Sequence, residues 1–394
     1  MKTYLTLAIA LFSIHTFSQT WTQNNDFNGG ARLGVSYFSL EGDAYLMGGL
    51  KQSDGTYIAY DDLWRYDKAE DNWDALEDKP GGNIYGAFTF VLGDTVYIGL
   101  GANQFGTYSN EVWSYNTVDG WQEVAGFPGH ERVYPFSFSA SGKGYVGGGA
   151  GTEYLSDLWE YNPILDEWTG KTDYPGGANV GQVAFSIADL GYVGLGDNGS
   201  FYFNDFYAYN PETNAWTTLS SFDGENRAFA GSTVNGGVGY MLGGESASGG
   251  YTNEMWEYNA TDDVWSESHN FTDVSRRYGA LYSIDDIFYY GVGQDGLSDT
   301  EVRMDFWQYD ATAGTEEYLS EEGFDLYPNP FTNQLNIILH SSSDIVNIKV
   351  YNNLMQTIYD GTDSSINTEN WNSSVYFVQI ETSKGMINRK IVKV

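Results

Sequence analysis

The sequence predicts an all-β protein: a six-bladed β-propeller followed by a small, Ig-like β-sandwich. Three observations carry this. A unit of about fifty residues recurs six times across roughly residues 20–310. Each unit holds four short stretches of alternating apolar and polar residues, divided by Gly, Asn or Asp turns. From Leu326 a different set of alternating stretches begins. Alternation over so few residues marks half-buried strands, and four strands per repeat mark a propeller blade.

The repeat is anchored by one phrase: an acid, an apolar residue, Trp, any residue, Tyr, then Asp or Asn. It occurs as DLWRYD, EVWSYN, DLWEYN, EMWEYN and DFWQYD around Trp64, Trp113, Trp159, Trp256 and Trp307. A sixth copy, DFYAYN, carries Tyr207 in the Trp position. Consecutive anchors lie 49, 46, 48, 49 and 51 residues apart. A second Trp follows in five units, at Trp73, Trp121, Trp168, Trp216 and Trp265. Upstream, an apolar strand ends at Gly49, Gly101, Gly149, Gly196, Gly244 and Gly293. In the first unit the four strands are expected at 32–40, 44–48, 62–67 and 72–76.

The sixth unit has Glu316 where its second Trp belongs, and Trp21 stands alone before the first unit. From Trp21 to Arg32 is 11 residues, as it is from Trp73 to Ile84, Trp121 to Arg132, Trp168 to Asn179 and Trp216 to Arg227. From Trp265 to Arg277 is 12. The strand at Trp21 is therefore expected to complete blade six, closing the ring and covering an open sheet edge.

Composition narrows the function. The 48 glycines, 8 prolines and 17% aromatics suit short strands and tight turns. The formal net charge of −35 argues against nucleic acid and anionic lipid as partners. Residues 19–323 hold 47 acids and 12 bases, so the propeller carries that charge. The chain has no cysteine, which excludes disulfides, thiolate nucleophiles and Cys-ligated metals. Residues 1–18, with Lys2, the apolar run Leu5 to Phe12, and Thr16 and Ser18 before a cut ahead of Gln19, read as a signal peptide. That run is well short of the ~20 apolar residues a membrane span needs, so no transmembrane segment is expected.

The strand ending in Gly-Gly, the Trp-x-Tyr-Asp phrase and the later Trp resemble the kelch repeat. The resemblance covers roughly residues 20–310 and departs at Tyr207 and at Leu100, Leu195 and Val292, which replace the first glycine. In the tail, Tyr327-Pro328-Asn329-Pro330 and the terminal KIVKV resemble the C-terminal sorting domain of the type IX secretion system of Bacteroidota. Ser374-Val375-Tyr376 stands where that domain typically has Gly-x-Tyr. The resemblance implies that residues 324–394 engage the type IX machinery, behind a linker at 311–323. The mature protein would then be secreted or attached to the outer cell surface.

Candidate chemistry gathers at one repeat position. Arg32, Arg132, Arg227 and Arg277 stand at the start of the inner strand, three of them 17 residues before the blade's glycine and Arg277 16 before. Ile84 and Asn179 take the place in blades two and four. Four guanidiniums around the channel would suit planar anions such as carboxylates. In ligand-binding kelch propellers this position often contacts acidic ligands. The alternative is that each Arg pairs with a neighbouring blade's acid and only packs the repeat. The recurring acids Asp62, Glu111, Asp157, Asp205, Glu254 and Asp305 read as structural acceptors of backbone N–H groups.

Inserts at 50–60, with Tyr57 and Tyr60, and at 294–304, with Asp295, Asp299, Glu301 and Arg303, would wall one side of the channel mouth. The second lacks EF-hand spacing and reads as a solvated acidic loop. His130 and His269 lie in loops of different blades, and no nucleotide or zinc motif is present, so no metal and no cofactor are expected.

Three functions stay open. The first is a displayed binding propeller for a glycan, an acidic small molecule or a protein. The second is a sugar-acid mutarotase or epimerase, implied by some bacterial kelch propellers. The third is a structural surface protein. An enzyme would need an acid or His set asymmetrically beside the arginines.

Overall fold

The computed structural model describes residues 20–296, 301–310, 324–327, 331–339, 345–352, 356–382 and 385–393. The segment expected to be a signal peptide (1–18), the expected linker at 311–323 and Asp299 lie outside them. The described residues are all strand, turn and loop, without helix, and fall into two compact units.

The first unit is a propeller of six four-stranded antiparallel sheets. Blade one pairs Ser36–Leu40, Asp43–Met47, Leu63–Asp67 and Asn72–Ala75 in that order. Blades two to five repeat the plan. Their inner strands are Phe88–Leu92, Phe136–Ala140, Val183–Ile187 and Gly231–Asn235. Blade six contributes Ala280–Ile284, Ile287–Gly291 and Phe306–Asp310, and its outermost strand is Thr22–Gln23, with Thr22 opposite Gln308 and Gln23 opposite Trp307. The six inner strands touch one another in cyclic order, so the ring is closed.

Local chemistry explains the repeat. The Tyr of the anchor phrase donates to a side chain five residues on: Tyr66 to Asp71, Tyr161 to Asp166, Tyr209 to Asn214 and Tyr258 to Asp263, at 2.7–2.8 Å. Those acceptors turn the chain in the left-handed region, φ 47–53°, which Asp and Asn tolerate best. The second Trp packs between blades. Trp121, Trp168 and Trp216 each donate Nε1 to a carbonyl of the preceding blade at 2.9 Å. Trp21 is 5% exposed, edge-on to Phe271 with centroids 5.2 Å apart and 5.4 Å from Tyr309.

The inner strand is shorter than expected. Pairing in blade one begins at Ser36 rather than Arg32, because Gly34 lies at φ 63° and breaks the extended chain. The insert at 50–60 is a hairpin of its own, Leu50–Ser53 against Thr56–Ala59.

The second unit is a sandwich. One sheet orders Phe324–Tyr327, Gln334–Leu339 and Ser365–Asn367; the other orders Thr357–Gly361, Ile345–Tyr351, Ser374–Thr382 and Gly385–Lys393. Leu335, Ile348, Val350, Val378, Ile380 and Ile391 fill its core. Lys393 is buried there, its Nζ donating to Thr368 O at 2.9 Å and Trp371 O at 3.0 Å.

Candidate functional site

The repeat-position arginines are structural clamps. Arg32, Arg132 and Arg227 are at most 1% exposed. Each ion-pairs with the acid before the anchor aromatic of its own blade, not of a neighbour: Arg32 with Asp62 at 2.6 Å, Arg132 with Asp157 and Arg227 with Glu254. Each also lies over an aromatic five residues earlier, Phe27, Phe127 or Phe222, about 5 Å from the ring centre. The acids accept from the anchor indole as well as the guanidinium. Trp64, Trp159, Trp256 and Trp307 donate Nε1 to Asp62, Asp157, Glu254 and Asp305 at 2.7–3.1 Å. The backbone-acceptor role expected for these acids is thus replaced by a side-chain clamp. Burial alone would raise the carboxyl pKa values, but the arginines outweigh it and hold Asp157, Glu254 and Asp305 below the ordinary range.

The fourth clamp is Arg276, not Arg277. Arg276 is fully buried, pairs with Asp305 at 2.7 and 2.8 Å, and lies over Phe271 at 5.0 Å. The count of 11 from Trp265 reaches Arg276, so the repeat holds strictly, and Arg277 falls one residue past it. Its true equivalents are Leu33, Tyr85, Val133, Val180 and Ala228, each bridged to the residue after the blade's glycine, as Arg277 is to Gln294. Arg277 is the one charged side chain among these six.

One residue further along is a ring the sequence reading missed. Gly34, Gly86, Tyr134, Gly181, Phe229 and Tyr278 all have φ between 52° and 72°. Backbone bonds link several of them across blades: Gly86 N to Gly34 O, Tyr134 N to Gly86 O, Phe229 N to Gly181 O and Tyr278 N to Phe229 O, at 2.7–2.9 Å. Three are glycines and three carry rings, and the glycines make room for the rings. A Cβ at Gly34 would stand 2.6 Å from Tyr134 Oη, and one at Gly181 2.7 Å from the Phe229 ring. The three rings meet over the channel, with centroids 4.7–5.6 Å apart. Holding Tyr134, Phe229 and Tyr278 in the left-handed region costs backbone energy, of order 1–3 kcal/mol each, which such sites commonly carry for function.

The rings roof a cavity of about 240 Å³ inside the channel, lined also by Tyr37, Gln182 and Ser232. Tyr37 crosses to blade five, its Oη accepting from Ser232 N at 2.9 Å. It also borders a further chamber of about 360 Å³ lined by Ser39, Ser139, Ser186 and Ser283.

Around the aromatic roof the mouth is lopsided. Leu33, Leu50, Ala59, Tyr85 and Val302 form an apolar wall with Tyr278, joining the inserts of blades one and six. The adjoining side, on blades four to six, is polar. Arg277 ion-pairs with Glu245, donates Nε to Gln294 Oε1 at 2.9 Å, and has its guanidinium 4.9 Å from the Tyr278 ring and 5.5 Å from Tyr251. Burial, then the Glu245 charge beside it, pushes the Tyr202 phenol up to about 12. The Arg277 and Glu245 side chains are 21% and 23% exposed, so this guanidinium, unlike the buried clamp arginines, reaches solvent. Arg303 closes the blade-six insert on Asp295. His130 lines a separate surface hollow, and His269 stacks on Tyr309 at 5.1 Å. No cluster of three metal-ligating side chains occurs among the described residues.

The profile described as the KLHDC2/KLHL20/DRC7 Kelch-repeats domain matches residues 34–235. The chain belongs to the kelch-repeat family. The profile of the Secretion system C-terminal sorting domain matches residues 325–394, the sandwich. The kelch chain is similar to N-acetylneuraminate epimerase of Pasteurella multocida, 40% identical over 87 residues, covering 20% of this chain and 22% of the relative. It is 34% identical over 103 residues to N-acetylneuraminate epimerase of Haemophilus influenzae, covering 25% and 27%. These matches thus span about a quarter of the relatives' length. Among solved structures, YjhT superposes with a TM-score of 0.60 at 15% identity, over 72% of this chain and 95% of that one, which is a likeness of fold. The kelch propeller with a secretion sorting tail is therefore the architecture.

Proposed function

We propose that the protein is an exported kelch propeller that binds an acidic sugar at the polar side of its channel mouth. One observation carries the reading: of six equivalent positions around the mouth, only Arg277 is charged, and it is partly exposed beside Glu245, Gln294, Tyr202 and Tyr251. A guanidinium over aromatic faces suits a carboxylate, and the Tyr, Gln and Glu groups suit a polyol. The names of the curated relatives, which act on a carboxylated sugar, support the same ligand class. Arg32, Arg132 and Arg227 take no part, since their guanidiniums are buried and already paired. The signal at 1–18 and the sorting tail at 324–394, behind the 311–323 linker, would deliver the propeller through the type IX machinery to the outer surface or the medium.

A second reading, an epimerase-like enzyme, is favoured by Glu245. Interconverting sugar anomers requires a group that takes the anomeric hydroxyl proton and one that returns a proton to the ring oxygen. The Glu245 carboxylate, paired with Arg277, is the candidate for the first role. Thermal-shift screening of the full-length chain against sugar acids and neutral glycans tests binding. A stabilising sugar acid whose effect is lost in Arg277→Ala supports the proposal, and a panel without any hit defeats it. Anomer exchange followed by NMR, lost in Glu245→Gln with binding kept, separates the enzyme from the binder.

A further inference from the structure

Five of the six anchor acids have a cation built into the chain. Asp62, Asp157, Glu254 and Asp305 hold Arg32, Arg132, Arg227 and Arg276. Blade two has lost its arginine to Ile84, yet the charge is replaced from another position. Lys79 stands where the other blades carry the clamp aromatic. It is 4% exposed, sits 5.7 Å from the Trp113 ring, and its ammonium interacts with the Glu111 carboxylate. Burial lowers the Lys79 pKa, and the charge of Glu111 works the other way.

Blade four is the exception. Asn179 replaces the arginine and Tyr207 replaces the tryptophan, so Asp205 loses both its guanidinium and its indole donor. Among the described residues its carboxylate has no hydrogen bond and no ion pair. Asn179 is fully buried. Its Nδ2 reaches Leu195 O at 3.4 Å, the carbonyl that corresponds to those taken by Nη1 of Arg32, Arg132 and Arg276 at Gly48, Gly148 and Val292. Its Oδ1 is buried without a partner. An asparagine side chain ends one atom short of where an arginine's Nε would lie, so no guanidinium stands beside the Asp205 carboxylate, and the hydroxyl of Tyr174, in the clamp-aromatic place, lies on that side. A buried acceptor in this state costs free energy unless something donates to it or coordinates it.

We propose that blade four binds a monovalent alkali cation, Na⁺ or K⁺, at the vacated guanidinium position, with the Asp205 carboxylate and Asn179 Oδ1 as ligands. One carboxylate plus neutral oxygens balances a single positive charge. Hard cations take oxygen donors, and a divalent ion would want more carboxylates than this site has. The propeller then carries a cation against the anchor acid in every blade, five from its own side chains and one from solution.

The test uses the full-length chain, with thermal unfolding in NaCl, in KCl and in choline chloride at equal ionic strength. Matched ionic strength matters because any salt screens so acidic a body. The expected result is a propeller Tm about 2–4 °C higher in the alkali salts than in choline, the shift of a weak site near saturation. Asn179→Arg restores the repeat residue, and its Tm should be equal in all three salts. Asp205→Asn should also lose the difference, which keeps the test intact if the arginine variant fails to fold. Equal wild-type Tm values in the three salts overturn the site, as does an alkali effect that survives in Asp205→Asn.

Discussion

Arg276→Met and Arg277→Met change adjacent residues and should give opposite phenotypes. Arg276 is fully buried, and its two charge-assisted bonds to Asp305 are 2.7 and 2.8 Å long. Methionine keeps the apolar stem over Phe271 but leaves the Asp305 carboxylate, 12% exposed, with no paired cation and only the Trp307 indole as donor. Breaking a buried pair from one side costs about 3–5 kcal/mol. At roughly 2 °C per kcal/mol for a domain of this size, the propeller Tm should fall by about 6–10 °C. Arg277 and Glu245 are partly solvated, and losing such a pair costs about 1 kcal/mol or less, a fall of about 2 °C. Thermal unfolding of the two variants, followed by near-UV circular dichroism of the packed aromatics, reads both numbers. An Arg277→Met protein as destabilised as Arg276→Met would refute the division into one clamp and one exposed site residue.

Three further outcomes follow. Trp21→Ala should destabilise the propeller by about 3–5 kcal/mol, because the ring fills a blade-six core against Phe271, Tyr290 and Tyr309; an unchanged denaturation midpoint would contradict that packing. Asp157, Glu254 and Asp305 have folded pKa values below their unfolded ones. Their stability contribution is therefore complete above the unfolded range of about 4 and lost as pH falls through the folded values, so acid unfolding should steepen below about pH 4. Deleting residues 324–394 should leave the propeller's own unfolding transition in place while stopping its appearance outside the cell, measured by immunoblot of medium and surface fractions.

The fold class was legible because its signals are repeated and local. Six anchor phrases and six glycines each report one strand or turn, and single losses such as Tyr207 are outvoted by the other copies. The site was less legible because it depends on departures from the repeat. Reading Arg277 for Arg276 was an error of one residue in two adjacent arginines, and the fixed interval of 11 from Trp265 distinguishes them. Glu245 and Gln294 follow the blade glycine, where the other blades have Leu50, Ala102, Ala150 and Asp197, and Tyr202 and Tyr251 lie five residues before the anchor, as Tyr108 and Tyr154 do, so the positions recur but their chemistry at the first of them does not. The aromatic roof was hidden differently. Gly34, Gly86 and Gly181 look like ordinary turn residues until their copies Tyr134, Phe229 and Tyr278 are aligned with them, and only the positive φ shared by all six shows that the position is one.

The central claim is that the partly exposed Arg277–Glu245 wall holds an acidic sugar while the buried arginines hold the blades. Isothermal titration of the full-length protein with N-acetylneuraminate, repeated on Arg277→Met, tests it most directly. The account predicts saturable one-to-one binding by the wild type, weakened at least about tenfold in the variant, whose removed charged contact is worth about 1.4 kcal/mol or more. Equal binding by both proteins, or none by a folded wild type, would contradict it.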